Sequence, residues 1–399
     1  MINPRLGALP PYPFRRLAAL LDGVNPGAPP IDLSIGEPRH APPPQIARFL
    51  SDPSARWNAY PPVAGTPAWK EAVADWLARR YALPHRMIPP QAVIPASGTR
   101  EALFMLGQVL IDATATGAPP LVLMPDPSYL PYLGATLMNG AVPVAVPARA
   151  ETNFQPDFGS LPEAVLARAS VLIACSPANP QGTLIDADGW RRLVRLARAH
   201  DIVLVADECY SEIYDRAPPP GVLEACRDLG GSLDGVLVCN SLSKRSSAAG
   251  LRSGFVAGDP ALVEAFSRLR AYGAAGMPVP IQEASAALWA DDSHVAENRA
   301  LYQAKIDAAQ ARLGTRMGFY RPPGGFFLWL DTTGWEEDGE TAAVRLWRDH
   351  GLKVLPGATM SADPAQADPP GRHRLRLALV HNQATIEQAL DRLIAAAPG

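Results

Sequence analysis

Apolar residues in the middle of this chain fall into short aliphatic runs, separated by longer stretches in which they recur at helical spacing. The runs are Leu121–Met124, Val171–Cys175, Ile202–Ala206 and Val236–Cys239; the amphipathic stretches include Trp69–Tyr81, Glu101–Ile111 and Trp190–His200. Alternation of this kind predicts βαβ units and a mostly parallel sheet with helices on both faces, an α/β fold. After Met277 the pattern changes. A helical stretch at His294–Leu313 is followed by strands at Gly325–Leu330, Lys353–Leu355 and His373–Leu379, interleaved with helices near Thr341–His350 and Ile386–Ala396. That mixture predicts a smaller α+β domain. The segment before about Pro44 is too short to fold alone, so it is expected to pack on this C-terminal part. The expected division is a large domain over 45–290 and a small one assembled from 1–44 and 291–399.

Composition narrows the class of protein. With 399 residues the chain exceeds what one core usually organises, and 48% hydrophobic with 19% charged residues is ordinary for a folded globular protein. A formal net charge of -3 and the lack of any basic run point to small-molecule partners rather than nucleic acid. No apolar stretch reaches the length of a membrane span, and Met1 to Leu20 hold prolines and arginines rather than a signal-peptide core. Cys175, Cys209, Cys226 and Cys239 are widely spaced, which suits reduced thiols rather than disulfides or a zinc site; the expectation is a cytosolic protein without a metal. The prolines sit in short loops such as Pro42–Pro44 and Pro218–Pro220, as element stops.

Four short segments carry candidate chemistry. Ser97-Gly98-Thr99-Arg100 lies at a strand-to-helix turn, where free backbone N–H groups and the helix dipole favour an anion; an ordinary helix cap reads the same way. Lys244 sits in Asn240-Ser241-Leu242-Ser243-Lys244-Arg245, just past a buried strand and ahead of Arg252, as either an amine nucleophile or a solvated loop lysine. Asp207 closes an apolar run, where a buried carboxylate needs a partner such as a cationic ring nitrogen, unless it is a surface acid or a cap. Asn179-Pro180 with Gly182 reads equally well as a turn.

Ser-Leu-Ser-Lys at 241–244 with Arg252, Asp207-Glu-Cys-Tyr210, Asn179-Pro-Gln-Gly182 and Ser97-Gly-Thr99, in this order, resemble the class I/II aminotransferases of fold type I over essentially the whole chain. The resemblance implies a pyridoxal 5'-phosphate cofactor and a large domain with a seven-stranded, mostly parallel sheet between helices, plus the smaller α+β domain. It makes Lys244 the residue that forms a Schiff base with the cofactor and shuttles the proton. It assigns Asp207 to the pyridine nitrogen, Tyr210 and Asn179 to the phenolic oxygen, and Gly98, Thr99, Ser97, Ser241, Ser243 and Arg252 to the phosphate. Tyr129, in Pro127-Ser-Tyr-Leu-Pro-Tyr132, matches the aromatic residue that stacks on the ring, against a reading as a core tyrosine. Tyr60 resembles the tyrosine that crosses a homodimer interface to the neighbouring phosphate, so each site would need two chains.

The substrate end rests on Arg376, in His373-Arg-Leu-Arg-Leu-Ala-Leu379, whose guanidinium suits the α-carboxylate of an amino or keto acid, and on Gly36 in Ile35-Gly-Glu-Pro38. Arg374 shares its face by period two and is expected on solvent or in a salt bridge. Within the family, Ser241 to Asp259, Glu208 to Tyr214 and Leu33 to Pro38 are most similar to bacterial N-succinyldiaminopimelate aminotransferases of the lysine pathway. Ala248-Ala249 and Ser97-Gly-Thr depart from relatives without touching the chemistry. Arg39 is a candidate for the distal substrate carboxylates, or an exposed loop arginine. Aspartate, alanine or aromatic aminotransferases, or a β-lyase, would share these motifs. A cofactor-binding regulator module ranks last, and no G-x-G-x-x-G supports a dehydrogenase.

Overall fold

The computed structural model describes residues 2–114, 117–335, 338–363 and 366–397. A two-residue strand, β1 (Ile31–Asp32), precedes β2 (Val93–Ala96), β3 (Leu121–Asp126), β4 (Val142–Pro147), β5 (Ala169–Cys175), β6 (Val203–Asp207), β7 (Val236–Ser241) and β8 (Gly254–Gly258). The chain closes with β9 (Phe327–Asp331), β10 (Leu352–Lys353), β11 (Leu355–Pro356) and β12 (Arg374–Ala378).

Strands β2 to β8 form one seven-stranded sheet in the order β2-β8-β7-β6-β5-β3-β4. Only β8 is reversed in it, antiparallel to both β2 and β7. Strands β3, β7 and β8 are buried along their whole length, and β5 and β6 along most of it, which is why they read as continuous apolar runs rather than alternations. Helices cover both faces: Trp69, Trp76, Trp190 and Trp289 pack on one, Leu103, Leu106 and Phe266 on the other. Their starts obey local chemistry. Thr66 caps Pro67–Arg80 through the Trp69 N–H, and Asp186 caps Ala187–Ala199 through the Gly189 N–H at 2.6 Å.

A second core lies on the antiparallel sheet β11-β12-β9, where Leu328, Leu330, Leu375 and Leu377 meet the helices Ser293–Leu313 and Gln383–Ala396. The apolar run Lys353–Leu355 is not the one strand its sequence predicts. Leu352–Lys353 pairs in parallel with β1, and after Val354 the residues Leu355–Pro356 pair with β12, so each half serves a different neighbour. The N-terminal segment likewise has two allegiances: Ile31 and Leu33 belong to the second core, whereas Arg5 donates to the Met138 carbonyl, beside the larger sheet. All four cysteines are free, Cys175 half-buried and the others buried. Among the described residues no helix is long and apolar enough to cross a membrane, and no cluster of acidic, histidine or cysteine side chains could hold a metal ion.

Candidate active site

Parallel strands leave their C-terminal ends on one edge of the sheet, where the following loops enclose a crevice. Here the ends of β5, β6 and β7 place Cys175, Asp207 and Ser241 on the wall of a cavity of about 450 Å³. Ser243, Lys244 and Arg252 line it from the chain after β7, Thr99 and Arg100 from the turn after β2, Tyr129 from the loop after β3, and Gly36 and Arg376 from the second core. The sequence-predicted residues therefore converge from segments more than three hundred positions apart. Three of them do not line it: Ser97 and Gly98, in the turn just before Thr99, and Tyr60, whose side chain is fully exposed.

Lys244 lies in the single helical turn Leu242–Arg245, which follows β7 directly. Its Nζ donates a short hydrogen bond to the Gly36 carbonyl and stands 5.4 Å from the centre of the Phe326 ring. Burial disfavours the ammonium form and pulls the pKa down to about 8, helped by the Arg376 and Arg100 charges and opposed by Cys209 and Glu37. Close packing at Gly36 matters here, since a Cβ would stand 2.7 Å from the Phe327 ring.

Asp207 is fully enclosed, and burial pushes its pKa up. The Cys209 N–H donates to Oδ1 at 3.2 Å and the Tyr132 hydroxyl to Oδ2 at 2.6 Å, and the Cys209 side chain adds to them. Tyr132 is a residue that sequence reasoning did not single out; its place three residues after Tyr129 and its burial among apolar neighbours made it look like core. Tyr129 and Tyr132 meet edge to face at 5.8 Å. Tyr129 also accepts a 2.8 Å hydrogen bond from Arg100 Nε. Burial raises the pKa of all three site tyrosines, Tyr129, Tyr132 and Tyr210, so each is a neutral hydroxyl at ordinary pH.

At the opposite end Gly98 adopts φ +85°, in the region glycine prefers, and opens the helix Thr99–Leu110. The space over it is taken by Arg252: a Cβ on Gly98 would stand 2.5 Å from Arg252 Nη2. Arg252 is fixed by the carbonyls of Ser97 (2.6 Å) and Ala249 (2.8 Å). The Gly98 N–H is donated to the Ala96 carbonyl at 2.7 Å, and the N–H groups of Thr99, Arg100 and Glu101, the first three helical positions, have no intrahelical acceptor. Ser97 faces the outer side of the turn rather than the cavity.

Arg376 is 4% exposed, and its guanidinium is held in a fixed plane by Nη1 on Asn179 Oδ1 (3.0 Å), Nη2 on the Ser34 carbonyl (2.6 Å) and the Phe327 ring 4.5 Å away. Its Nε has no partner among the described residues, and burial lowers its pKa to about 10, still fully charged at neutral pH. Arg374 instead pairs with Asp331 at 3.0 Å. Arg39 does not line the cavity; its Nη1 lies 3.1 Å from His381 Nδ1.

One enclosed site thus offers a near-neutral amine, a buried carboxylate, a cationic turn at a helix start and a second, rigid guanidinium. Such a set suits a flat ligand with an anionic arm at one end and a basic ring nitrogen at the other, together with a small carboxylate beside the amine.

Residues 28–393 match the family model described as aminotransferase class I and II. The chain is 33% identical to a 4-dedimethylamino-4-oxo-anhydrotetracycline transaminase of Streptomyces rimosus, over 88% of this chain and 91% of that protein. It is 31% identical to an LL-diaminopimelate aminotransferase of Desulforudis audaxviator, covering 88% of each. Among solved structures, an aminotransferase from Neisseria meningitidis superposes with a TM-score of 0.93 at 36% identity over the full length of both chains.

Proposed function

This chain belongs to the class I and II aminotransferases, and on that premise we propose that it moves an amino group between glutamate and an amino acid of the diaminopimelate pathway, N-succinyl-LL-2,6-diaminopimelate first. The family's cofactor is pyridoxal 5'-phosphate, which when bound supplies an aldehyde and an electron-withdrawing ring next to the substrate Cα. The residues fit it. Gly98 leaves room for Arg252, and Thr99, Ser241, Ser243 and Arg252 gather where a phosphate dianion would be neutralised. Asp207 would pair with a protonated ring nitrogen, which would offset the burial that now raises its pKa. Tyr129 would cover a ring face. Asn179, with Oδ1 committed to Arg376, keeps its amide N–H for a phenolic oxygen, as Tyr210 keeps its hydroxyl.

In this reading Arg376 binds the substrate α-carboxylate and sets which bond at Cα faces Lys244. Lys244 Nζ would hold the cofactor, and its amine would take up and return the proton at the substrate Cα. Its lowered pKa is what makes a lysine usable as a base near neutrality. Phe326, Phe327 and Tyr210 exclude water on that side. The fully exposed Tyr60 is suited to reach a second copy of this chain, completing each site in a homodimer. Residues 45–290 would form the cofactor domain, and 1–44 with 291–399 the part that closes on substrate in the cytosol.

The observation that carries the proposal is the convergence of Lys244, Asp207 and Arg376 in one cavity. A second reading, unmodified LL-diaminopimelate as the substrate, is favoured by relatives named for that compound. The test is amino transfer from glutamate by purified, cofactor-loaded protein to a panel of keto acids that includes the succinylated one. Transfer to neither diaminopimelate-type acceptor would reject the substrate assignment, and release of ammonia and pyruvate without 2-oxoglutarate would indicate a β-lyase.

A further inference from the structure

Lys305 is buried within the helix Ser293–Leu313, and no carboxylate pairs with it among the described residues. Burial pulls its pKa down to about 8, a cost that a counterion would ordinarily offset. Its polar partner is instead the His40 ring, with Nζ 2.5 Å from Nε2. From there a chain of contacts runs to the turn that carries Lys244. His40 Nδ1 lies 2.7 Å from Asn298 Oδ1, and Asn298 Nδ2 donates to the carbonyls of Lys244 (3.0 Å) and Arg245 (3.3 Å). Those carbonyls end the single turn Leu242–Arg245 and receive no backbone N–H among the described residues. Every proton along the chain is then assigned. Carbonyls only accept, so the Asn298 amide nitrogen faces them, its oxygen faces His40, and Nδ1 must carry the ring proton. Burial, helped by the Lys305 charge and opposed by the Asn298 bond, lowers the His40 pKa and keeps the ring neutral, which leaves Nε2 as the acceptor for the ammonium. The same loop also holds the tip of Lys244: Gly36 accepts from Nζ, and the His40 carbonyl accepts from Ser247 Oγ at 2.8 Å.

We propose that Lys305, His40 and Asn298 form a one-way hydrogen-bond relay that positions Lys244, locking the turn that carries it to the loop that carries Gly36. None of the three lines the cavity, so they are positioning residues rather than groups that meet substrate. The two main-chain carbonyls fix where the lysine stem begins, and a misplacement of about 1 Å at a reacting group costs about 100-fold in rate. The proposal rests on the transaminase reading, which makes Lys244 the reacting amine.

The test begins on the wild-type protein. Nitrogen-15 NMR of histidine-labelled chain is expected to show His40 as the Nδ1–H tautomer; an Nε2–H tautomer overturns the relay whatever any variant does. Asn298→Asp keeps the shape and an acceptor for His40 but sets an oxygen against the two carbonyls. It is expected to slow attachment of pyridoxal phosphate to the apoprotein, and to lower kcat with glutamate, by about 10- to 100-fold each, with KM held within about threefold because Arg376 is untouched. Lys305→Met removes only the far donor and should lower both by about 3- to 10-fold, one neutral hydrogen bond's worth. His40→Asn, which keeps a donor to Asn298, should stay nearer the wild type than His40→Leu. A purely structural role would lower the melting temperature and leave the attachment rate and kcat unchanged well below it, and that result in Asn298→Asp and Lys305→Met counts against the proposal. If Asn298→Asp does not fold, Lys305→Met decides by the same measures. Failure of the wild-type protein to exchange an amino group with glutamate would instead sink the transaminase reading, while the tautomer and the attachment rate would still decide the relay.

Discussion

The Tyr132 hydroxyl donates to Asp207 Oδ2 at 2.6 Å in a setting where both side chains are enclosed. Without that donor the carboxylate would keep the N–H and the side chain of Cys209. The phenol therefore helps hold as an anion a group that burial would otherwise neutralise, and an anionic Asp207 is what a cationic ring nitrogen requires.

Tyr132→Phe is expected to destabilise the apoprotein by about 1–3 kcal/mol, because a buried acceptor loses its partner while the ring's packing survives. Cofactor affinity and turnover should fall with it. Chemical denaturation gives the first quantity and equilibrium dialysis of pyridoxal phosphate the second; an unchanged affinity would deny Tyr132 any part in tuning Asp207.

Lys244→Ala should abolish turnover and the visible absorbance that covalent attachment of pyridoxal phosphate produces. For the wild-type apoprotein the rate of attachment should rise with pH. The free amine is the reactive form, and burial has moved its pKa down to about 8, so the amine fills in around that pH instead of near the ordinary lysine value. Stopped-flow absorbance between about pH 6 and about pH 10 locates the midpoint. A midpoint at the ordinary value would mean that the side chain is solvated.

Arg376→Lys should lower kcat/KM roughly 100-fold or more, since an ammonium cannot keep the bonds to Asn179 and Ser34 and also grip a carboxylate with two parallel donors. Steady-state kinetics with glutamate checks this. Near-normal kinetics would place the α-carboxylate elsewhere.

Gly98→Ala should loosen the cofactor more than it harms the fold. The backbone strain at φ +85°, ψ 162° costs about 1–3 kcal/mol, and the new methyl also meets Arg252 Nη2 and must displace it. Faster loss of pyridoxal phosphate on dialysis, with a melting temperature lowered only slightly, is the expected pair of results.

Much of this protein was legible in its sequence. The buried strands β3, β5, β6 and β7 appear as apolar runs because both faces of a parallel sheet are covered, and the helices as amphipathic repeats because each buries one side. Lys244, Asp207, Asn179 and Arg252 could be named because each lies in a short segment whose composition reflects local geometry, a turn after a strand or a helix start. What stayed hidden depends on partners distant in the chain. β8 reads like any buried strand, and its reversed direction is set by where β2 and β7 lie. Lys353–Leu355 looks like one strand until its halves meet different sheets. Tyr132 is an apolar-flanked tyrosine in sequence and a carboxylate's donor only once β3 and β6 bring the two within reach, 75 positions apart. Arg374 and Arg376 share one strand face by period two; Asp331 holds the first and the cavity faces the second. Periodicity and turn chemistry act over a few bonds and are written locally, whereas hydrogen-bond partners, lysine basicity and the choice between two arginines arise from contacts that exist only after the chain has closed on itself.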